Sequence, residues 1–124
     1  MQELLEALKE RAGFFLLQMG EFKPFRVLLR SGEIVDTMTV YETFTENQIY
    51  DLLVKEVNID LEDSDTKASA IVLLGQSDGY DIVLIEIFRK LRKKYQMVLP
   101  YSIKDGAIFF WGDLNKNYQT EKDW

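Results

Sequence analysis

The chain contains no cysteine and no histidine. Disulfides, thiolate nucleophiles, Cys/His zinc sites, imidazole-based triads and histidine pH switches are thereby excluded. No apolar run approaches the ~18–20 residues that a membrane-spanning helix needs. The opening Met1-Gln2-Glu3-Leu4-Leu5-Glu6 lacks the basic start, apolar stretch and cleavage site of a signal peptide. The expected compartment is therefore the cytoplasm. No Gly-x-Gly-x-x-Gly, P-loop or Gly-x-Ser-x-Gly pattern is present, so phosphate cradles and nucleophile elbows are not expected. With neither a metal-ligand set nor a cofactor motif, no metal, cofactor or catalytic residue is assigned.

What is present fits one domain. The chain has 124 residues, 47% apolar and 29% charged, enough to bury a core unaided. We expect a single domain over 1–124, with a polar tail from about 115. The net charge is −6 and uneven. Residues 1–66 hold 6 Lys/Arg against 14 Asp/Glu, a net of −8. Residues 67–124 hold 9 against 7, a net of +2. An acidic chain repels nucleic-acid phosphates and anionic membranes, so neither is an expected partner.

Periodicity gives the elements. Leu4, Leu5, Leu8, Ala12, Phe15, Leu16 and Met19 recur at helical spacing, which predicts a helix over 2–19 stopped at Gly20. Gly13 interrupts it at a cost of about 1 kcal/mol against Ala. Residues 25–30 and 33–41 read as a hairpin about Ser31-Gly32. Its second strand would place Val35, Thr37, Thr39 and Tyr41 on one face. Thr45 to Gln48 fits a capping box opening a helix over 46–57. Residues 58–66 read as an acidic loop, and 67–75 as a strand buried on both faces. Residues 80–91 fit a strand or a helix. The strand is preferred, because β-branched residues dominate and Ser77-Asp78-Gly79 precedes them. Residues 95–103 and 107–111 complete the strands about Asp105-Gly106. Pro100, which has no N–H to donate, implies an edge strand or a bulge.

Four features are candidates for function. The acidic residues Asp60, Glu62, Asp63 and Asp65 fail as an EF-hand, because the sixth and twelfth positions from Asp60 hold Asp65 and Ile71. They are read as a solvated loop open to a partner, with a weak divalent-ion site as the alternative. The basic run Arg89, Lys90, Arg92, Lys93 and Lys94 lacks interleaved aromatics for base stacking, and reads as a gatekeeper against edge aggregation. Glu86 lies on an apolar strand, sharing a face with Ile82, Leu84 and Phe88. It is either a general acid–base or, as preferred, a residue on a partly solvated face or one paired with an Arg or Lys across the strands. Aromatics gather near the end as Phe109-Phe110-Trp111, with Tyr101 nearby. Alternation separates Phe110 from Phe109 and Trp111, and Phe109 is assigned to the core. Phe110, Trp111 and Tyr101 join the four acids as candidate partner-binding residues.

Phe22-Lys23-Pro24-Phe25 before the first hairpin and Leu99-Pro100-Tyr101 in the late strand resemble, with the element order, small stand-alone bacterial domains of unknown function. Acidic domains of that type resemble immunity proteins, which neutralise a partner toxin. The order α-β-β-α-β-β-β also resembles roadblock or profilin-like domains, which end in a helix where this chain reads as a strand. The resemblance covers about 20–110 and transfers no functional residue.

The expected fold is α+β: an antiparallel sheet of about five or six strands, two helices against one face, order α-β-β-α-β-β-β-β. The expected function is that of a non-catalytic soluble protein-binding domain, with an immunity-type inhibitor of a basic partner as its sharpest form. Its binding would weaken with salt. Two alternatives stand beside it. One is an enzyme or small-ligand binder using carboxylates. The other is a structural homodimer formed by edge-strand pairing.

Overall fold

The computed structural model describes residues 2–37 and 43–111. In chain order the elements are α1 (Gln2–Met19), β1 (Phe25–Arg30), β2 (Glu33–Asp36), α2 (Glu46–Glu62), β3 (Thr66–Ser77), β4 (Tyr80–Phe88), β5 (Tyr95–Lys104) and β6 (Ala107–Phe110). The six strands form one antiparallel sheet in the order β2-β1-β3-β4-β5-β6. The expected α+β class, strand number and element order are what the chain adopts. Thr39, Tyr41 and the polar tail expected from 115 lie outside the described residues.

Three two-residue turns set the hairpin registers. Ser31-Gly32, Asp78-Gly79 and Asp105-Gly106 each hold positive φ at both positions. That is the type I′ geometry whose twist matches the strands it joins. The segment 80–88 is a strand, paired with β3 from Ser69↔Phe88 to Ser77↔Tyr80.

The two helices do not share a face, which corrects the sequence-based expectation. Strand alternation decides the matter. Ala68, Ala70 and Val72 of β3, with Val83, Ile85 and Ile87 of β4, pack with Leu4, Leu8, Ala12 and Leu16 of α1. Ile71, one step out of phase, packs instead with Ile49, Leu53 and Val57 of α2. The sheet is thus apolar on both sides through its middle strands, and each side takes one helix. Each buried Leu, Ile or Val there contributes about 1.5–3 kcal/mol. Met19, expected on the buried stripe of α1, is exposed, and the helix stops where Gly20 N–H bonds Leu16 O at 2.9 Å.

Gly13 has a packing reason. A Cβ built there would lie 3.2 Å from Ile108 Cγ2. The absent side chain lets α1 approach β6, which offsets the helix-propensity cost.

Pro100 does not make β5 an edge strand, since β4 and β6 both pair with it. It limits β6 instead. Trp111 N–H donates to Pro100 O at 2.8 Å, and Pro100 has no N–H to return. That pair therefore makes one ladder bond instead of two, just past the end of β6 at Phe110.

A bidentate ion pair ties α1 to β2. Arg11 Nε and Nη2 each lie 2.8 Å from Asp36 carboxylate oxygens. The Arg11 hydrogen bond holds the Asp36 carboxyl below its ordinary 3.8, against an opposing push from partial burial. A depressed carboxylate contributes stability above its unfolded pKa and loses it as pH falls through the folded one. Asp36 is half-exposed, so solvent screening keeps the effect small. Asp36→Asn is expected to cost about 0.5–1 kcal/mol in urea unfolding at pH 7. The gap should close once the pH drops below the depressed value. A gap that persists unchanged in acid would show that the charge is not its source.

Candidate functional site

Two polar centres and one apolar margin hold most of the residues singled out in the sequence; of the basic run, which lies between β4 and β5, Arg89 is buried and Lys90, Arg92 and Lys93 are exposed outside them. The first centre lies between α2 and the sheet. Alternation turns Glu86 of β4 toward α2, where its side chain is only 5% exposed. Tyr50 of α2 donates its hydroxyl to Glu86 Oε1 at 2.5 Å. Lys94, just before β5, donates its ammonium to Oε2 at 2.8 Å, and also stands 5.9 Å from the Phe88 ring centroid. Burial, then the Glu86 carboxylate, push the Tyr50 hydroxyl well above its ordinary range, so it stays a donor. Glu86 is thus paired with a cation, one of the two preferred readings, while its burial rules out the other, a partly solvated face. Both of its oxygens are occupied, and neither depression described below reaches it.

The second centre corrects the reading of 58–66 as a loop. α2 continues through Glu62, and Asp60 lies on its inner side. Arg26 of β1 donates from Nε to Glu56 at 3.0 Å and from Nη1 to Asp60. Ser69 of β3 donates its hydroxyl to Asp60 at 2.8 Å. Leu61 packs on the smaller core. These anchors explain why a helix extends through Asn, Ile and Asp, which are indifferent helix formers. Asp63 pairs with Arg30 at 2.8 Å and accepts the Asp65 N–H at 3.0 Å. Of the four acids expected to face a partner, only Glu62 and Asp65 stand exposed. Among the described residues, no three acids converge into a metal-holding group.

The margin is β6, the last strand of the sheet. Its alternation splits the expected aromatic trio. Phe110 lies on the α1 side, edge-on to Tyr101 with centroids 6.5 Å apart, and both pack against the larger core. Burial and the nearby Asp81 charge raise the Tyr101 pKa. Trp111 lies on the opposite side, edge-on to Tyr80 at 4.9 Å. Phe109, assigned above to the core, is 51% exposed, and Trp111 is 44% exposed. The strand was read in the wrong phase, because Gly13 admits Ile108 and Phe110 to the α1 side.

On the α1 side, a depression of about 450 Å³ runs between α1 and β6. Gly13, Phe14, Leu17, Ile108 and Phe110 form its apolar walls, with Lys9 and Glu10 at its rim. Phe14 is 60% exposed there. A second depression, about 360 Å³, lies beside Phe22, Lys23 and Leu74.

Acids and aromatics do not form one site. Ser69, bonded to Asp60, and Ser77, opposite Tyr80, are eight residues apart on β3. At strand rise that is about 26 Å. Sequence reasoning missed Phe14, Leu17 and Tyr80 as surface residues. The Phe14-Phe15 doublet was a usable signal, since adjacent helix positions point about 100° apart and only one meets the core.

No family model, curated protein or solved structure matches the chain. Among the described residues, no helix is long and apolar enough to cross a membrane. The surface is therefore read from its own chemistry.

Proposed function

We propose that the chain is a non-catalytic protein-binding domain whose contact surface is the β6 margin. One observation carries this reading: β6, Ala-Ile-Phe-Phe, is the last strand of the sheet among the described residues, has no charge, and leaves Phe109 half-exposed on one face while Phe14 and Leu17 of α1 are exposed beside Ile108 and Phe110 on the other. Terminal strands are normally guarded by charge, proline or a covering element. An apolar patch left at such an edge marks an interaction surface. Trp, Tyr and Phe are the side chains from which binding hot spots are built.

The inhibitor form of this reading draws on charge instead. Internal pairing of Glu56, Asp60 and Asp63 leaves Glu62 and Asp65 as the acids a basic partner would meet at the end of α2.

The test is capture from a native lysate, then affinity measurement of the captured protein against wild type, Trp111→Ser and the double variant E62Q/D65N. Trp111→Ser is expected to weaken the complex about tenfold or more, with little salt dependence in the wild type. Loss confined to E62Q/D65N, with affinity falling as salt rises, would favour the inhibitor of a basic partner. A complex indifferent to both variants would defeat the binding surface proposed here.

A further inference from the structure

The backbone of β6 narrows the class of partner. Because Trp111 N–H bonds Pro100 O, these two residues form a hydrogen-bonded pair of the antiparallel ladder. Such pairs alternate along the ladder. Phe109 with Ser102 and Ala107 with Lys104 are then also hydrogen-bonded pairs, given the register. Ile108 and Phe110 consequently turn their N–H and C=O groups away from β5, toward the edge on which no strand pairs with β6 among the described residues. Two donors and two acceptors stand in line there, between apolar side chains on either face.

We propose that this edge is completed by β6 of a second copy of the chain, running antiparallel about a two-fold axis at Phe109. The inference rests on reading the β6 margin as a protein-binding surface, and it names the partner.

Self-complementarity favours a second copy. With Phe109 on the axis, Ile108 of each copy faces Phe110 of the other. All four free groups of each strand are then used, two per residue. Other antiparallel registers leave some of them outside the strand. Ile108 and Phe110 lie on the α1 side and Phe109 on the other, so every apolar side chain keeps its face across the junction. The α1 depressions of the two copies meet on one side of the continuous sheet, adding Phe14 and Leu17 to the contact. That matters because four ladder bonds alone fall short of a stable interface, which buries about 800 Å² per partner.

Charge permits the contact. The acidic excess of the chain lies in residues 1–66, whereas 67–124 carry +2. Beside β6 the charges come as balanced neighbours, Lys9 with Glu10 and Lys104 with Asp105. A two-fold axis opposes each sign to its counterpart as readily as to itself.

The absence of cysteine makes the test clean. Light scattering of the wild-type chain should give twice the 14.5 kDa chain mass. Phe109→Cys should form an intermolecular disulfide on mild oxidation. Residues facing each other at a non-hydrogen-bonded position have Cα atoms about 4.5 Å apart, within disulfide reach. Ala107→Cys is the control. In this register it faces Trp111, and the two copies of residue 107 are separated by four strand steps, about 13 Å. It should not cross-link. Phe109→Glu, which opposes like charges on the axis, should raise the dimer dissociation constant about tenfold or more. Phe109 is half-exposed in one chain, so these variants leave the fold intact.

A dimer in which residue 107 cross-links and residue 109 does not would overturn the register. A monomer at every concentration would overturn self-pairing outright. The binding-domain reading would then stand or fall separately, on whether Trp111→Ser weakens a captured partner.

Discussion

Arg26→Met is expected to lower the unfolding free energy by about 3 kcal/mol and to loosen the last turns of α2. Arg26 is 12% exposed and holds Glu56 and Asp60 through one guanidinium. The substitution keeps the alkyl volume and removes the charge. Two carboxylates then remain under the C-terminal end of α2, where the helix dipole already disfavours them and no basic residue lies in the last turn. Asp60 would keep the Ser69 hydroxyl, a weaker donor. Breaking a mostly buried pair costs more than making it contributes, because the abandoned charges stay desolvated. Arg26→Lys should fall in between, since it restores the charge without the planar fork that reaches both acids. Urea unfolding at pH 7 reads the energy, and hydrogen exchange at 60–63 reads the fraying. A loss below about 1 kcal/mol would mean that apolar packing, not Arg26, holds the end of α2.

That anchor also shows where the sequence was legible. The capping box at Thr45 formed as its spacing implied: the Thr45 hydroxyl accepts Gln48 N–H at 3.2 Å, and the Gln48 side chain accepts Thr45 N–H at 2.9 Å. The three glycine turns were equally readable, because positive φ at two successive positions leaves few residues to choose from. Local rules of this kind act over a few residues and are written in them. The end of α2 was not readable. Asn58, Ile59 and Asp60 are indifferent helix formers in an acidic stretch, and the force that keeps them helical comes from Arg26, 34 positions before Asp60. The side taken by each helix was hidden for a related reason. A strand apolar on both faces, such as 68–74, gives no indication of which neighbour covers which side. The phase of β6 failed similarly, since three successive aromatics carry no alternation, and Gly13 on a distant helix decided the matter. The aromatic candidates therefore divide between core and surface. Phe110 and Tyr101 support the core, while Trp111, Tyr80 and Phe109 face outward.

Glu86 offers the sharpest separation between a structural and a functional buried acid. Lys94→Met is expected to cost about 2 kcal/mol, less than a fully buried pair, because Lys94 is 39% exposed and Tyr50 still donates to the carboxylate. The triple variant Tyr50→Phe, Glu86→Leu and Lys94→Met should recover to within about 1 kcal/mol of wild type. It removes every polar member together and leaves an apolar seat of similar volume beside Phe88 and Leu84. Recovery follows from the asymmetry of buried charge: an orphaned partner is costly, whereas an absent network is nearly neutral. The same protein then separates the two roles. If Glu86 only seats α2, the refolded triple variant keeps whatever binding the β6 margin supports, because no member of the trio lies on β6 or in the α1 depression. A triple variant that is stable yet loses an activity of the wild-type chain would move the working site to Glu86 and revive the carboxylate reading. Failure to recover stability would show that the hydrogen-bonded trio, rather than the packing around it, specifies how α2 sits on the sheet.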